Sequence, residues 1–267
     1  GPIGSFLLLG ASGVGKTYTA KSIAQELFGS KDNFININMT EYSESLTSSK
    51  LIGAAPGYVG YDQAGELTEA VRRNPYSVVL FDEIEKAHEN VIQMLLQILE
   101  EGLIRDNMGR DINFRNCIII ITGNVGAEFA KGRGDMGFGT SDDDEDRQEE
   151  RVKEAARKRF RPEFINRLDE IIVFRNFSPR DYSRIVSLQV EVLKTQAKRE
   201  GRKVAVYKSA IDLLVKKAIN EGDGARPIER LIQAQLSTPI AKEILRIPSV
   251  TKASVTAKDG EFYFKYW

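Results

Sequence analysis

The sequence predicts an α/β chain: a parallel β-sheet with helices on both faces, followed by a smaller, mainly helical α+β domain. Three observations predict it. Short all-apolar runs alternate with stretches of helical period. A glycine-rich turn joins the first run to the first helix. Beyond Ser178-Pro179 the pattern changes to helical stripes with a few alternating strands.

Phe6-Leu7-Leu8-Leu9 is the first run, and a strand with no polar face belongs in a sheet covered on both sides. After the turn, Ala20, Ile23, Ala24, Leu27 and Phe28 recur at helical spacing, and Gly29 marks the end. Residues 34–37, 78–81 and 117–121 are further strands, and 171–174 is a fifth. Ile92, Leu95, Leu96 and Leu99 place a helix ahead of the fourth. Residues 131–147 carry Gly132, Gly134, Gly137 and Gly139 and then Ser141-Asp142-Asp143-Asp144-Glu145-Asp146, which reads as a long, polar, mobile loop. Helix is expected to resume at about Gln148 and to stop near Arg161-Pro162.

Ser178 is a capping residue and Pro179 suits the first helical position, so a boundary falls there: a large domain over 1–176 and a small one over 177–267. In the small domain Ile185, Leu188 and Val192 form one stripe, and Ile211, Leu214, Val215 and Ala218 a second. Ile228, Leu231 and Ile232 begin a third, which Pro239 must kink or break. Residues 204–206, 253–256 and 262–266 alternate like strands, the last two joined by Asp259-Gly260.

Bulk composition narrows the function classes. Lys and Arg number 38 and Asp and Glu number 38, so the chain has no overall pull toward nucleic acid or an anionic membrane. Cys117 is the single cysteine, which rules out a disulfide within the chain and suits a reducing compartment such as the cytoplasm. No apolar run approaches the roughly 20 residues of a membrane span, and no signal peptide is visible. The chain opens almost directly on its glycine-rich motif, as expected of a piece cut from something longer.

That motif, Gly10-Ala11-Ser12-Gly13-Val14-Gly15-Lys16-Thr17, fits the P-loop pattern G-x-x-x-x-G-K-[ST] between a buried strand and a helix. Its glycines let successive backbone N–H groups point at phosphate oxygens, and the helix N-terminus adds partial positive charge. Lys16 is expected to neutralise the β- and γ-phosphates of ATP, and Thr17 to ligate Mg²⁺. Val78-Val79-Leu80-Phe81-Asp82-Glu83 is a buried strand ending in acids. Asp82 is expected to hold Mg²⁺ through water and Glu83 to polarise the attacking water. Paired Asp82-Glu83 favours a hydrolase over a kinase, which would need an acceptor site rather than a water-activating acid. Asn124, at the tip of the strand over 117–121, reads equally as a group that positions the water or touches the γ-phosphate and as a turn former.

With these in hand, the chain resembles the second ATPase domain of the Clp family of AAA+ unfoldases over essentially its whole length. The likeness is most specific at Gly57-Tyr58-Val59-Gly60-Tyr61, Val79-Leu80-Phe81-Asp82-Glu83-Ile84-Glu85-Lys86-Ala87-His88, Phe160-Arg161-Pro162-Glu163-Phe164-Ile165-Asn166-Arg167 and Gly224-Ala225-Arg226-Pro227. The resemblance implies an AAA+ P-loop NTPase fold with a lid domain. It implies that Asn124 is sensor 1, Arg167 an arginine finger reaching a neighbouring subunit's γ-phosphate, and Arg226 sensor 2. Tyr58 matches the pore-loop aromatic that grips substrate polypeptide; its bland reading is a tyrosine in a surface turn. Met136-Gly137-Phe138 matches the loop by which ClpA- and ClpC-like members dock on the peptidase ClpP; the bland reading is a loop folded back on its own surface. Two departures stand out: Ala11-Ser12 where Pro-Thr is usual, and Thr122-Gly123-Asn124 where Thr-Ser-Asn is usual.

The resemblance therefore implies a homo-hexameric, ATP- and Mg²⁺-dependent protein unfoldase in the cytoplasm or the plastid stroma. It would act on unfolded or tagged polypeptide and feed a ClpP-type peptidase, with a ClpC-like character. A ClpB-like disaggregase without a peptidase partner is the alternative. A nucleotide-gated scaffold is disfavoured by intact Lys16, Asp82 and Glu83, and a nucleic-acid motor by the neutral charge. His88 and Cys117 are expected to be structural.

Overall fold

Each all-apolar run of the sequence is a strand, to within a residue or two, in the computed structural model, which describes residues 1–54, 57, 63–129 and 142–267. These residues group into two units. One comprises Gly1–Ala11 and Gly15–Arg175, the other Asn176–Trp267 together with Ser12–Val14.

The first unit runs β1 (Gly4–Leu9), α1 (Lys16–Phe28), β2 (Phe34–Asn38), α2 (Ser45–Ser48), α3 (Glu66–Arg73), β3 (Val78–Asp82), α4 (Glu89–Glu101), β4 (Leu103–Arg105), β5 (Asp111–Asn113), β6 (Ile118–Gly123), α5 (Asp142–Arg159), α6 (Pro162–Ile165) and β7 (Glu170–Val173). Five strands form one sheet in the order β2-β3-β6-β1-β7, and every pairing in it is parallel. The apolar runs follow from the layering. Phe6, Leu8, Val78, Leu80, Ile118 and Ile120 pack with Ala20 and Ala24 of α1 on one face. Their sequence neighbours Leu7, Leu9, Val79, Phe81, Ile119 and Ile121 pack with Val91, Leu95 and Ile98 of α4 and with Val152 and Ala156 of α5 on the other. A strand buried on both faces has no position at which a polar side chain reaches water.

Helix ends follow local chemistry. Gly29 closes α1 in the left-handed region at φ 72° and donates its amide to the Gln25 carbonyl. His88 caps α4, its Nδ1 accepting from the Asn90 amide at 3.1 Å, which is the structural role expected of it. Cys117 is fully buried, and burial pushes its thiol pKa up, as befits an inert core residue. One expectation is corrected. The acidic run lies within a helix, because α5 begins at Asp142 rather than near Gln148. Acidic residues in a first turn are favoured by the helix dipole, and Val152 and Ala156 anchor the same helix in the core.

The second unit runs α7 (Pro179–Arg199), β8 (Lys203–Val206), α8 (Lys208–Glu221), α9 (Arg226–Ile232), α10 (Thr238–Arg246), β9 (Lys252–Lys258) and β10 (Glu261–Tyr266). Ser178 and Asp181 form a reciprocal capping box at the start of α7, with Pro179 just inside it. The three strands order β10-β9-β8; β8 and β9 pair in parallel, while β9 and β10 form a hairpin turned at Asp259 (φ 53°) and Gly260 (φ 82°). Pro239 does not end the third helix: α9 passes into α10 through a π-helical segment, Gln233–Ser237, with right-handed helical backbone at Ile232, Gln233, Ser237 and Thr238, and the proline is the second residue of α10, just past that segment. Of the expected stripe on α7, Ile185 packs against the core, whereas Leu188 is 60% and Val192 48% exposed and Val186 and Val190 are buried instead. Helical spacing says which residues share a face, and here the core takes the neighbouring face.

β4 and β5 pair as a short hairpin. At its turn Asp106 is 5% exposed and accepts from the amides of Met108 and Arg110 at 3.0 and 2.8 Å and from the Arg110 guanidinium at 2.7 Å. Burial alone would raise its pKa, but the bonds from Arg110 and Met108 outweigh that and hold it below the ordinary aspartate range. Such a group stabilises the fold above its unfolded pKa, and that contribution fades as pH falls through the folded value. Asp106→Asn is therefore expected to cost about 1–3 kcal/mol at neutral pH. Denaturant unfolding should show the gap from wild type narrowing below about pH 4. Leu95→Ala, at a fully buried position in α4, is expected to destabilise the first unit by about 2–5 kcal/mol, read from the same unfolding curves.

Candidate nucleotide site

Parallel pairing brings the C-terminal ends of β1, β3 and β6 to one edge of the sheet. Leu9 stands opposite Gly123, Leu8 opposite Thr122 and Phe81 opposite Ile121. The residues that follow each strand, Gly10, Asp82 and Asn124, therefore emerge side by side where open α/β sheets bind ligands. Among the described residues, the first unit thus brings together Gly10, Ala11, Gly15, Lys16, Thr17, Asp82, Glu83 and Asn124.

The P-loop enters α1 through Gly15 at φ 101°, a conformation few side chains tolerate, and its carbonyl accepts the first helical bond from Thr19 at 2.8 Å. Lys16 opens the helix and is only 7% exposed. Its ammonium donates to the carbonyls of Gly10 and Ala11 at 2.7 and 2.8 Å and to Asn124 Oδ1 at 3.0 Å. These three acceptors are neutral dipoles, so an anionic phosphate oxygen would compete for this ammonium on favourable terms.

Thr17 on α1 and Asp82 on β3 meet: the hydroxyl donates to Asp82 Oδ2 at 3.2 Å. A hydroxyl and a carboxylate at that spacing are the hard oxygen donors that Mg²⁺ takes alongside phosphate and water. The donor set, beside the Lys16 ammonium at the start of α1, therefore fits Mg²⁺ accompanying a nucleoside triphosphate. Beyond Asp82 the backbone turns through the left-handed region at Glu83 (φ 61°), a strained conformation for a non-glycine residue. That turn separates the directions of the two adjacent acids.

Two residues to which motif reading gave no role, Thr122 and Thr40, hold these acids, and a third, Glu85, holds Asn124. The Thr122 hydroxyl donates to Asp82 Oδ1 and accepts the Glu83 amide at 3.0 Å, so one side chain fixes both acids to β6. Thr40, after β2, donates to Glu83 Oε2 at 3.1 Å. Glu85 Oε1 accepts the Asn124 amide at 3.2 Å. The only sequence signal for them was that polar residues end three apolar strands.

Of the remaining sequence-derived residues, Arg167 belongs to the first unit and Arg226 to the second. Arg167, after α6, pairs its guanidinium with Glu100 of α4 at 2.6 Å, both side chains about half exposed. In the second unit Arg226 is the first residue of α9 and lines a surface depression with Glu221, Asp223 and Arg230. That unit also contains Ser12, Gly13 and Val14, and there the Gly13 carbonyl accepts the Ala225 amide at 2.9 Å. Gly13 and Gly224 touch backbone to backbone: a Cβ on Gly13 would fall 2.0 Å from the Asp223 carbonyl oxygen, and one on Gly224 2.4 Å from that of Gly13. Tyr58 and Met136, Gly137 and Phe138 lie outside the described residues. No group of three His, Cys, Asp or Glu among the described residues is arranged to hold a metal on its own, and no helix among them is long and apolar enough to cross a membrane.

Known proteins share this fold. Residues 1–171 match the family described as "AAA domain (Cdc48 subfamily)", and residues 177–257 match the "C-terminal, D2-small domain, of ClpB protein". Chaperone protein ClpB of Prochlorococcus marinus is 48% identical over 93% of this chain, which spans 28% of that protein. The negative regulator of genetic competence ClpC/MecB of Bacillus subtilis is 42% identical over 99% of the chain, which spans 33% of it. A closed-state cryo-electron microscopy reconstruction of Hsp104 with ATPγS and FITC-casein superposes at a TM-score of 0.85 and 36% identity, covering 99% of this chain and 45% of that one. The chain spans about a third or less of these curated relatives. With both sections of its length matched, it belongs to the AAA+ ATPases of the Clp family, as a second-ATPase-domain module.

Proposed function

We propose that this chain is the ATP-hydrolysing motor of a larger protein that remodels polypeptides, acting as a ring of identical subunits in a reducing compartment such as the cytoplasm. The observation that carries the reading is the cluster of Lys16, Thr17, Asp82, Glu83 and Asn124 at one sheet edge. Backbone amides of Gly10, Ala11, Ser12, Gly13, Val14 and Gly15 would cradle the phosphates, with Lys16 on the β- and γ-oxygens. Thr17 and Asp82 would hold Mg²⁺, which when bound neutralises the charge developing on the phosphate oxygens. Glu83, steered by its left-handed backbone and the Thr40 hydroxyl, would orient the attacking water and draw off its proton. Asn124 would hold the γ-phosphate side of the site. Arg167 would reach the same phosphate from a neighbouring copy, exchanging an exposed partner, Glu100, for a stronger one. Arg226, at the head of α9, would report the nucleotide state to the small unit.

The Hsp104 reconstruction that this chain resembles was obtained with casein, which supports polypeptide as the cargo. Tyr58, flanked by Gly57 and Gly60 in the sequence, is the residue we assign to grip it, since an aromatic ring presses on any chain without reading its sequence. Two outcomes for the cargo are separable. Met136-Gly137-Phe138 supports delivery to a ClpP-type peptidase through an apolar anchor. The match to the ClpB small domain and the ClpB relatives supports disaggregation without a peptidase.

Glu83→Gln is expected to lower ATP turnover roughly a hundredfold or more while nucleotide affinity stays within about threefold. Steady-state hydrolysis and calorimetric titration of the full protein check it, and wild-type turnover would reject the enzyme reading. Phe138→Ala is expected to weaken peptidase coupling roughly thirtyfold, the worth of one buried aromatic anchor, with ATP turnover little changed. Degradation of an unfolded substrate by the protein with a ClpP-type peptidase measures it, and coupling absent in wild type would select the disaggregase reading.

A further inference from the structure

Glu85 has no part in the reaction described above, yet it touches the residue nearest to it in function. It lies in the 3-10 turn Ile84–Lys86 that follows Glu83. Its Oε1 accepts the backbone amide of Asn124, and the Asn124 side chain reaches on to Lys16 at 3.0 Å. Its Oε2 is buried and, among the described residues, has no hydrogen-bond partner. Beside that oxygen is Gly123, where a Cβ would stand 3.3 Å from Oε2 and 3.3 Å from a Leu9 methyl.

These contacts tie the acid-bearing turn to the tip of β6 at two points. Thr122 binds Asp82 and Glu83 at one end. Glu85 binds Asn124 at the other. An amide bond to a carboxylate is roughly twice as strong as one between neutral groups. Where the Asn124 side chain can reach depends on where its backbone is held, and a misplacement of about 1 Å in a catalytic constellation can cost as much as a hundredfold in rate. A carboxylate serving only to brace the turn would be expected to satisfy both oxygens, because a buried, unsatisfied acceptor is costly. This one commits a single oxygen to Asn124 and, among the described residues, leaves the other unpaired, which points to a demand for place over stability.

We propose that Glu85 is a positioning residue for ATP hydrolysis: it aims Asn124 at the γ-phosphate by anchoring the Asn124 amide. The inference rests on the reading of Asn124 as part of the nucleotide site. It predicts dependence of one residue on the other, which a bracing role does not.

The test is a double-mutant cycle in the full protein, with steady-state ATP turnover and calorimetric Mg²⁺–ATP affinity measured for Glu85→Ala, Asn124→Ala and the pair. Glu85→Ala is expected to lower kcat roughly tenfold with affinity held within about threefold. The double variant is expected to be no slower than Asn124→Ala alone, because the first residue acts through the second. Glu85→Gln keeps a carbonyl oxygen for the Asn124 amide and is expected to recover most of the rate. Should Glu85→Ala not fold, Glu85→Asp, which withdraws the oxygen by one methylene, takes its place in the cycle. Losses that multiply in the double variant, a Glu85→Ala protein with wild-type kcat, or a Glu85→Gln protein as slow as Glu85→Ala would overturn the proposal. A wild-type rate for Asn124→Ala would instead remove the catalytic reading of Asn124 on which it stands. The unpaired oxygen is checked separately by comparing Gly123→Ser with Gly123→Ala. The serine hydroxyl supplies a donor and should melt a few degrees higher, by about 2–4 °C; a serine variant no more stable than the alanine one would contradict the placement of Oε2.

Discussion

The parallel pairing of β1, β3 and β6 in one register is the constraint on which the rest of the site depends. Because Leu8 lies opposite Thr122 and Phe81 opposite Ile121, the chain delivers a phosphate-binding turn, two acids and an asparagine to one edge without any long loop. A slip of one residue in either pairing would carry Thr122 away from Asp82 and turn every apolar side chain to the opposite face. Burial of both faces makes such a slip expensive, so the core that stabilises the first unit also fixes its chemistry.

Within that frame the acids are placed by few, short-range devices. Thr122 bridges Asp82 to the Glu83 amide, the left-handed backbone at Glu83 turns its carboxylate away from its neighbour's, and Thr40 catches the far oxygen. Each tolerates a local cost, either strain or a buried polar group, that the apolar layers of the sheet offset. Under the proposed function the same devices would leave the two adjacent carboxylates, Asp82 and Glu83, to different tasks, one holding the metal and one orienting water.

Much of this was legible in the sequence, for identifiable reasons. Strands buried on both faces leave uninterrupted apolar runs, and a P-loop is a local backbone motif, so β1, β3, β6, Lys16 and Thr17 could be placed from neighbours in the chain. The helix at Asp142 was hidden because an acidic, glycine-led segment has the composition of a loop, while its stabilisation comes from the helix dipole and from core contacts at Val152 and Ala156. Leu188 and Val192 misled because spacing identifies a shared face without saying what covers it. The contacts of Thr40, Thr122 and Glu85 were invisible because their partners lie 43, 39 to 40 and 39 residues away, and only strand register brings them together. The parts assigned to Arg167 and Tyr58 depend on a second copy of the chain and on a substrate, neither of which local spacing encodes.

The central proposal is that Thr17 and Asp82, which meet at 3.2 Å, would hold the Mg²⁺ that strengthens ATP binding at the P-loop. Calorimetric titration of ATP into the protein with and without Mg²⁺, in wild type and in Asp82→Asn, tests it most directly. The account predicts that Mg²⁺ tightens ATP binding in wild type by roughly tenfold or more and that most of this gain disappears when the carboxylate becomes an amide. An equal gain from Mg²⁺ in both proteins would contradict it.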